Sequence, residues 1–517
     1  MLFKTSVLVG QALGALINSV LAFQTRDCFS SLLQYLHLPY SDKVCVLYGL
    51  RRTGKTTMLK QAIATLNLNE CAYIKVNSGN DISDLDSDLK MLYNQGCKYA
   101  FIDEVTLMHD FIDSASIFSD VFAAIGMKIV LSGTDSLGFW LASDQELYDR
   151  SITIHTTYIP FHEHCRLLNT NSLDEYIQYG GTLKAGEWDF DDTKLLSGEL
   201  SFLNEETTRR YIDTAICRNI QNSLAFYEHG GHFRHLYPLY QAGKLTNFIN
   251  RIIESMNHAF VQQTISKNFK SHNFGVACNN NRKAKSPEDR TGFFDEADKE
   301  EITSKLMELL SIYNLDDLNN SDLNIIKVVI AEIKEYLIAL DLVVDSYVET
   351  ESDSEPYFHT IFTQPGMRFC QAKALIHAMT KDKAFAKASE RDKALAEERV
   401  LDEVRGRMME DIVLLETSRF IPSHKRAFKL QFARGEFDMV IYDKNTNTCE
   451  IYEVKHSNQI VPEQYRHLVD VEKCSATERR FGTIAKKAVI YTGAPESLDC
   501  GIDYLNVCDY LKHLERH

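Results

Sequence analysis

The chain has 517 residues, which is too long for one hydrophobic core and predicts roughly two to four domains. Apolar residues make up 44% and charged residues 25%, so the composition is that of an ordered globular protein and excludes wholesale disorder. A net charge of −16 argues against a surface coated with nucleic acid or anionic lipid, although a local basic groove is compatible with it. No C-x-x-C pair occurs among the 12 cysteines, so neither zinc nor disulfides are predicted.

Residues 1–23 contain an apolar stretch after Lys4, a pattern shared by signal peptides and packed helices. Gln11, Asn18 and Ser19 interrupt the stretch, and no uninterrupted run of about 20 apolar residues occurs here or later. We therefore expect a packed N-terminal helical extension over residues 1–30, a cytoplasmic protein and no membrane partner.

Between residues 43 and 157, short apolar runs alternate with helical stretches. The apolar runs are Val44–Tyr48, Cys71–Val76, Tyr99–Ile102, Lys128–Ser132 and Ser151–His155. Runs that are apolar throughout are typical of parallel strands covered by helices on both faces. An α/β domain with a parallel sheet is predicted over residues 31–173.

The rest of the chain divides by composition and periodicity. Residues 174–300 predict a helical lid or connector with a mobile loop near 271–298. Two helices and a hairpin over 301–375 favour a winged-helix-like module, and a helical bundle with a surface hairpin is an equal alternative. A charged helix at 376–404 then leads to a last domain at 405–517.

The segment GLRRTGKT fits the pattern G-x-x-x-x-G-K-[ST] between an apolar strand and a helical run. Backbone N–H groups of such a loop, at a helix N-terminus, cradle phosphates. Lys55 would reach the β- and γ-phosphates, and Thr56 would ligate Mg²⁺. The nucleotide-binding residues expected here are Gly49, Arg52, Thr53, Gly54, Lys55, Thr56 and Thr57.

The strand YAFIDEV ends in two carboxylates, as a Walker B motif does. Asp103 would hold Mg²⁺, and Glu104 would polarise the water that attacks the γ-phosphate. The next strand ends in LSGTDS, where Ser132, Thr134 or Asp135 could contact that water, or form an ordinary turn.

Two further features of this domain are weaker. Arg150 could be an arginine finger, in cis or towards a neighbouring copy, or an ordinary surface arginine. His162, His164 and Cys165 form a tight cluster, but no complementary ligand pair lies nearby, so a zinc site is not predicted.

Near the C-terminus, two strands flank a polar turn. A hairpin centred between Asn445 and Thr446 sets Asp438 opposite Glu453, and period-two alternation places Lys455 on the same face. Two carboxylates and a lysine on one patch could hold a divalent metal for phosphodiester hydrolysis.

Other residues could complete that site. Glu410, on an upstream helix, is a candidate further metal ligand. The alternative is a salt-bridged hairpin face, with Glu436 opposite Lys455. The basic residues Lys425, Arg426, Lys429 and Arg434 could contact phosphates or form a solvated strand edge.

The motifs GLRRTGKTT, FIDEV, LSGTDS, IPFHEH, DEYIQYGG, GEFDMVI and IYEVK together resemble a known group. They are similar to those of bacterial and archaeal AAA-type (ASCE) P-loop ATPases that end in a PD-(D/E)xK, restriction-endonuclease-like domain. The resemblance implies an α/β multidomain protein with a winged-helix middle. It assigns the ATP site to Gly54, Lys55, Thr56, Asp103 and Glu104, and the nuclease motif to Asp438, Glu453 and Lys455.

The expected function is ATP binding and hydrolysis coupled to a metal-dependent nuclease or nucleic-acid-binding domain. Lys55, Glu104 and Lys455 would be catalytic, with ATP and Mg²⁺ as cofactors. The partner would be nucleic acid, DNA in preference to RNA, and assembly into a homo-oligomer is left open. The alternative is an ATP-dependent switch in which the nuclease-like domain is a non-catalytic binding platform.

Overall fold

A computed structural model describes most of the chain between residues 2 and 514. The residues outside the description are 1, 40–41, 135–137, 140–141, 143–145, 186–187, 190–201, 203, 219, 222–223, 225–232, 234, 242, 271–322, 352–355, 382–388 and 515–517. The loop predicted near 271–298 and the sensor candidate Asp135 therefore lie outside the described residues.

The described strands form three sheets. They are β1 (Ser6–Leu8), β2 (Val44–Tyr48), β3 (Cys71–Lys75), β4 (Tyr99–Asp103), β5 (Lys128–Gly133), β6 (Ser151–His155), β7 (Lys184–Ala185), β8 (Trp188–Asp189), β9 (Val343–Thr350), β10 (Tyr357–Phe362), β11 (Lys425–Gln431), β12 (Glu436–Asp443), β13 (Thr448–Lys455), β14 (Thr483–Tyr491), β15 (Glu496–Ser497) and β16 (Asp503–Asn506).

Helices connect these strands. The α-helices are Gly10–Asn18, Phe29–His37, Lys55–Ala64, Ile82–Asn94, Phe111–Ser114, Phe161–Leu168, Leu173–Tyr179, Glu205–Ile212, Leu236–Gln241, Leu245–Lys270, Leu323–Ala339, Pro365–Thr380, Glu390–Phe420, Val471–Phe481 and Val507–His513. Shorter 3₁₀ and π segments are Leu68–Glu70, Val105–Leu107, Phe118–Ala123, Asp213–Cys217 and Pro462–Gln464. Among the described residues, no helix is both long and apolar enough to cross a membrane.

The N-terminal sheet has the strand order β1-β3-β4-β5-β2-β6. All its pairings are parallel except that of β1 with β3. Along β2, Val44 and Val46 enter one hydrophobic core while Cys45 and Leu47 enter another. Because both faces are covered, these strands are apolar throughout, and the predicted parallel α/β sheet is confirmed.

The N-terminal extension is part of this sheet. The predicted helix is present at Gly10–Asn18, but the strand β1 before it pairs with β3, with Ser6 opposite Lys75. The buried carboxylate of Asp88 accepts the backbone N–H groups of Lys4 and Thr5. The extension therefore packs as an edge of the N-terminal sheet and not as a separate segment.

The second large sheet has the order β10-β9-β11-β12-β13-β14-β16-β15. The hairpin β9–β10, which the sequence assigned to a winged-helix-like module or to a helical bundle with a surface hairpin, joins this sheet through parallel pairing of β9 with β11. Residues 301–322 of the predicted module lie outside the described residues. The predicted boundaries therefore differ from the structure here, because the hairpin forms the edge of the C-terminal sheet.

One long helix, Glu390–Phe420, packs against this sheet. It contains about half of the predicted charged segment 376–404 together with the stretch that carries Glu410. No proline or glycine pair interrupts the sequence between the two parts, so the helix continues across the predicted boundary at residue 405. Its second half, including Met409 and Val413, is buried against the sheet.

Candidate functional site

The segment GLRRTGKT, residues 49–56, is the P-loop, which follows β2 and leads into the helix Lys55–Ala64. Two of its glycines are required by geometry. Gly54 has φ of 89°, a left-handed conformation that glycine adopts without strain. A Cβ atom at Gly49 would lie 2.3 Å from Thr156 Oγ1 and 2.9 Å from Thr157 N. The loop is therefore pressed against the segment that follows β6.

Lys55 is the first residue of the helix and is buried. Its Nζ donates to the carbonyl oxygens of Gly49, at 2.7 Å, and Leu50, at 2.8 Å. Burial lowers the pKa of Lys55 to about 8, and the nearby Glu104 and Asp103 oppose this effect. The ammonium thus lies within the concave loop, where phosphate oxygens would bind.

The two predicted magnesium ligands are brought together. Thr56 Oγ1 donates to Asp103 Oδ2 at 3.0 Å, and the hydroxyl of Tyr73 donates to the same oxygen at 2.7 Å. Asp103 is 1% exposed at the end of β4. The first turn of the helix after the P-loop thus sets a hydroxyl beside the carboxylate at the end of β4, and such oxygen atoms are the ligands that Mg²⁺ prefers.

Glu104 follows Asp103 with φ of 61°, which is uncommon for a residue other than glycine. Its carboxylate accepts a hydrogen bond from Thr134 Oγ1 at 3.3 Å. Of the sensor candidates, Thr134 therefore contacts Glu104, while Ser132 is fully buried. The left-handed backbone turns Glu104 away from the strand direction, next to the loop after β5.

Arg26 is a residue of this site that sequence reasoning missed. Its guanidinium is 5% exposed and forms an ion pair with Glu163, at 2.5 Å from Nε to Oε1. It also donates to the carbonyl oxygens of Thr53, Thr156 and Tyr158. Arg26 therefore ties the P-loop to the segment after β6. No local motif signals this contact, because the ion pair joins positions far apart in the sequence.

The weaker sequence features have structural roles. The carbonyl oxygen of Arg150 accepts the N–H of Val44 at the start of β2. Arg150 therefore lies at the opposite end of this strand from the P-loop. Its side chain pairs with Asp120 at 3.2 Å, both side chains are about half exposed, and a role as an arginine finger stays a prediction. His162 pairs with Asp27 at 2.6 Å and is not brought to any group of metal ligands among the described residues.

The remaining nucleotide-binding candidates line the same loop. Thr53 Oγ1 lies 2.7 Å from Thr156 Oγ1. Arg52, Gly54 and Thr57 line a pocket next to the loop. The other walls of this pocket come from Phe23, Gln24, Arg26, Met58, Gln61, Leu167 and Leu183.

In the C-terminal sheet, the hairpin β12–β13 has the predicted register. Met439 pairs with Tyr452 and Val440 with Ile451, so Asp438 and Glu453 are the next opposed positions. Lys455 Nζ lies 2.8 Å from Asp438 Oδ2 and 2.7 Å from Glu453 Oε2. The two carboxylates and the lysine therefore meet on one face.

The carboxylates placed to share a metal differ from the predicted set. Oxygens of Glu410, Glu436 and Asp438 lie within 4.8 Å of one another, whereas Glu453 is outside this group. Glu453 Oε2 pairs with Lys455, and Oε1 is buried without a hydrogen-bond partner in the described structure. The E-x-D spacing of Glu436 and Asp438 could have signalled that both side chains lie on one face of a strand.

Glu436 was predicted opposite Lys455 in the salt-bridged alternative. Instead, Arg407 pairs with Glu410 at 2.5 Å and with Glu436 at 3.3 Å. Lys429 adds contacts to the same two carboxylates, at 3.1 and 3.4 Å. The cluster is thus enclosed by cations from a helix and a neighbouring strand.

Burial and charge separate the two hairpin carboxylates. Burial would raise the pKa of Asp438, but Lys455 and Lys429 lower it well below its usual range. Burial raises the pKa of Glu453 well above its usual value, and Lys455 opposes this effect. Although burial works against it, Asp438 and Glu453 also raise the pKa of Lys455. Asp438 is therefore the ionised carboxylate and Lys455 stays cationic.

The predicted basic run is split between two faces of β11. Lys429 is 3% exposed and faces the carboxylate cluster. Arg426 lies on the opposite face, where it pairs with Glu349 at 2.8 Å. Lys425 lies 4.0 Å from Glu450, and Arg434 is exposed beyond the strand. These residues do not form one continuous phosphate-binding strip.

A short segment connects the two sites. Thr157 Oγ1 accepts the N–H of Leu50 in the P-loop. Four residues later, the N–H of Phe161 donates to Glu416 Oε1 at 2.6 Å, on the same long helix as Glu410. Residues 156–161 therefore touch the P-loop at one end and the C-terminal domain at the other. From here on we call this segment the connector, and it is distinct from the helical region predicted over 174–300.

Two further contacts join the helical region after β6 to the C-terminal domain. His456, which directly follows Lys455, pairs with Asp174 at 3.0 Å. Arg419 stacks on the ring of Tyr158 in the connector at 4.1 Å. The two sites therefore belong to one packed unit.

Comparisons with solved structures give only weak global similarity. The Aeropyrum pernix ORC1 protein in complex with DNA has 12% identity and a TM-score of 0.24, over 72% of this chain and 97% of that one. A structure of katanin self-assembly has 13% identity and a TM-score of 0.20, over 46% and 78%. The S. cerevisiae Hsp104–ADP complex has 12% identity and a TM-score of 0.27, over 78% and 51%. Scores this low carry no argument about function.

No curated protein matches the sequence. The model of a protein family described as an AAA domain matches residues 41–165. This range contains the P-loop, both carboxylates at the end of β4 and the start of the helix Phe161–Leu168. Residues 41–165 are an AAA-type P-loop ATPase domain.

Proposed function

We propose that the chain hydrolyses ATP at its P-loop and uses the nucleotide to control a metal-dependent nuclease site in its C-terminal domain. The observation that carries the proposal is the convergence of Asp438, Glu410, Glu436 and Lys455 on one face of the second sheet. These residues come from a helix and two strands, so local sequence alone does not bring them together.

At the first site, Thr56 and Asp103 would hold Mg²⁺ between the phosphates and the sheet. The 3.0 Å hydrogen bond between them supports this assignment. Lys55 would neutralise the β- and γ-phosphates from within the loop. Glu104, which accepts a hydrogen bond from Thr134, would accept a proton from the attacking water.

The adjacent pocket suggests where the rest of the nucleotide binds. Thr57 and Gln61 line it from the helix after the P-loop, and Phe23 lines it from the N-terminal extension. The Gln61 amide donates to the carbonyl oxygen of Phe23 at 3.0 Å, which fixes both walls. With its phosphates in the P-loop, a nucleotide that extends past Gly54 would place its base in this pocket.

At the second site, the donor set fits Mg²⁺ or Mn²⁺, because carboxylate oxygens are the ligands these ions prefer. Glu410, Glu436 and Asp438 would hold the ion, and the partnerless Oε1 of Glu453 is a further oxygen donor. A bound ion supplies Lewis-acid polarisation of a phosphodiester and lowers the pKa of water. Lys455 would stabilise charge that develops on the phosphate.

The connector provides a route by which the two sites could influence each other. It joins the P-loop, through Thr157, to the helix that carries Glu410, through Glu416. This contact also supports the second candidate function, an ATP-dependent switch in which the C-terminal domain binds nucleic acid without cleaving it. The two candidates differ only in whether the carboxylate cluster is catalytic.

The test is cleavage of labelled DNA and RNA, single- and double-stranded, with Mg²⁺ or Mn²⁺ and with or without ATP. We expect cleavage by the wild type and its loss in Asp438→Ala and Lys455→Ala. Lys444→Ala, an exposed lysine in the turn of the same hairpin, is the matched control and should cleave normally. Cleavage that persists in both site variants refutes the nuclease assignment. ATP-dependent binding without cleavage by the wild type selects the switch.

A further inference from the structure

The edge of the C-terminal sheet exposes two neighbouring aromatic side chains. Tyr357 is 49% exposed and Phe358 is 53% exposed, both at the start of β10. Consecutive residues of a strand point to opposite faces, so the two rings lie on opposite sides of the sheet. Phe358 packs against Tyr347, its cross-strand neighbour, with ring centroids 4.9 Å apart.

Tyr357 lies on the face that carries the carboxylate cluster. Its hydroxyl donates to Gln431 Oε1 at 2.5 Å. Gln431 is on β11, two strands in from the edge, and pairs directly with Glu436 on β12. The side chain of Tyr357 therefore reaches inwards across the sheet towards the cluster, and the bond to Gln431 fixes its far end.

The charges around Tyr357 agree with this placement. Burial raises the pKa of Tyr357, Glu436 raises it further, and Lys429 and Arg407 lower it. The cations of the cluster are thus close enough to act on the phenol. The backbone of Tyr357 is three strand spacings, about 14 Å, from β12. A flexible single strand crosses that distance within a few nucleotides.

We propose that Tyr357 is a stacking platform for a base of single-stranded nucleic acid whose backbone lies in the carboxylate–lysine site. Proteins that hold single strands without reading sequence stack bases on aromatic side chains beside a groove that holds the backbone, and Tyr357 is a half-exposed ring beside the proposed backbone site. Bases inside a duplex are already stacked on one another, so Tyr357 would favour single strands or unpaired ends. The inference rests on the proposed function, because it needs nucleic acid at this site.

The chain offers a matched set of variants. Tyr357→Ala removes the ring, Tyr357→Phe keeps the ring but loses the bond to Gln431, and Phe358→Ala removes a similarly exposed ring from the other face. Binding of the full-length protein to fluorescein-labelled single-stranded and duplex oligonucleotides, of DNA and of RNA, is measured by anisotropy with Ca²⁺ in place of Mg²⁺. Thermal unfolding of each variant is recorded beside the binding curves.

We expect Tyr357→Ala to weaken single-strand binding by roughly 5- to 150-fold, the effect of removing one base stack. Its duplex binding, and single-strand binding by Tyr357→Phe and Phe358→Ala, should stay within about twofold of wild type. The fluorescent base 2-aminopurine, placed in the single strand, should be quenched when it stacks on the Tyr357 ring. Among the variants, this quenching of fluorescence on binding should be lost only in Tyr357→Ala. If Tyr357→Ala folds and binds single strands like wild type, or if Phe358→Ala loses as much, the stacking role is overturned while the proposed function stands. If the wild type binds no oligonucleotide, the proposed function itself fails.

Discussion

Replacing Glu416 by glutamine should change how the stability of the protein depends on pH. Glu416 is fully buried where the connector meets the long helix, and its Oε1 accepts the N–H of Phe161 at 2.6 Å. Burial raises the pKa of Glu416 from 4.5 to about 7. The N–H of Phe161, the charge of His162 and the hydroxyls of Tyr158 and Tyr176 oppose the rise.

The sign follows from proton binding. The folded protein keeps a proton on Glu416 up to about pH 7, whereas the unfolded chain releases it above about pH 4.5. The stabilising contribution of this group is therefore complete below pH 4.5 and is lost as the pH rises through 7. At about 1.4 kcal/mol per pH unit, the full effect is about 3 kcal/mol.

A glutamine keeps the carbonyl oxygen that Phe161 needs and does not titrate. Urea unfolding of wild type and Glu416→Gln is compared from pH 5 to pH 8, with Glu398→Gln, an exposed residue of the same helix, as the control. We expect the wild type to lose about 2–3 kcal/mol relative to Glu416→Gln across this range. Parallel stability curves for the two proteins would refute the reasoning, because they would mean that Glu416 does not change its protonation on unfolding.

Three further predictions concern the ATP site. Glu104→Gln should keep ATP affinity but slow ATP hydrolysis by about 100-fold or more, since a positioned base contributes that much. A nucleotide titration measures the affinity and a phosphate-release assay measures the rate. Equal losses of affinity and rate would contradict the prediction. Lys55→Met should weaken ATP binding in the same titration, whereas Lys60→Met on the same helix should not. Arg26→Met leaves Glu163 buried without its partner and should lower the free energy of unfolding by about 3–5 kcal/mol in urea. Arg26→Lys should not restore it, because an ammonium cannot contact the same acceptors as the planar guanidinium.

Local sequence predicted those features that depend on neighbours along the chain. The P-loop pattern, the apolar strands and the register of the hairpin β12–β13 all arise within short segments. A turn of fixed length sets which residues face each other, so the meeting of Asp438, Glu453 and Lys455 could be calculated before the structure was known. The packed N-terminal helix was also predicted from local sequence, because polar residues interrupt its apolar stretch.

Other features depend on contacts between distant segments. From the sequence, the hairpin β9–β10 could be a wing or a surface hairpin. Its place in the C-terminal sheet depends on the pairing of Val348 with Lys429, and a pairing across 81 positions leaves no local pattern. That pairing brings Tyr357 to the face of the carboxylate cluster. Glu436, and not Glu453, lies close to Glu410 and Asp438. Arg407 and Lys429, from other elements, pair with both Glu410 and Glu436.

The sequence by itself determined the P-loop, the paired carboxylates of β4 and the fold of the ATPase domain, because these follow from local periodicity and short motifs. Only the tertiary structure decided that Arg26 ties the P-loop to Glu163 and that Glu416 joins the two domains. Both are buried ionisable groups whose partners lie more than a hundred positions away. Such partners are selected by packing, because a buried polar or charged group is stable only where the fold supplies a hydrogen bond or a counter-charge.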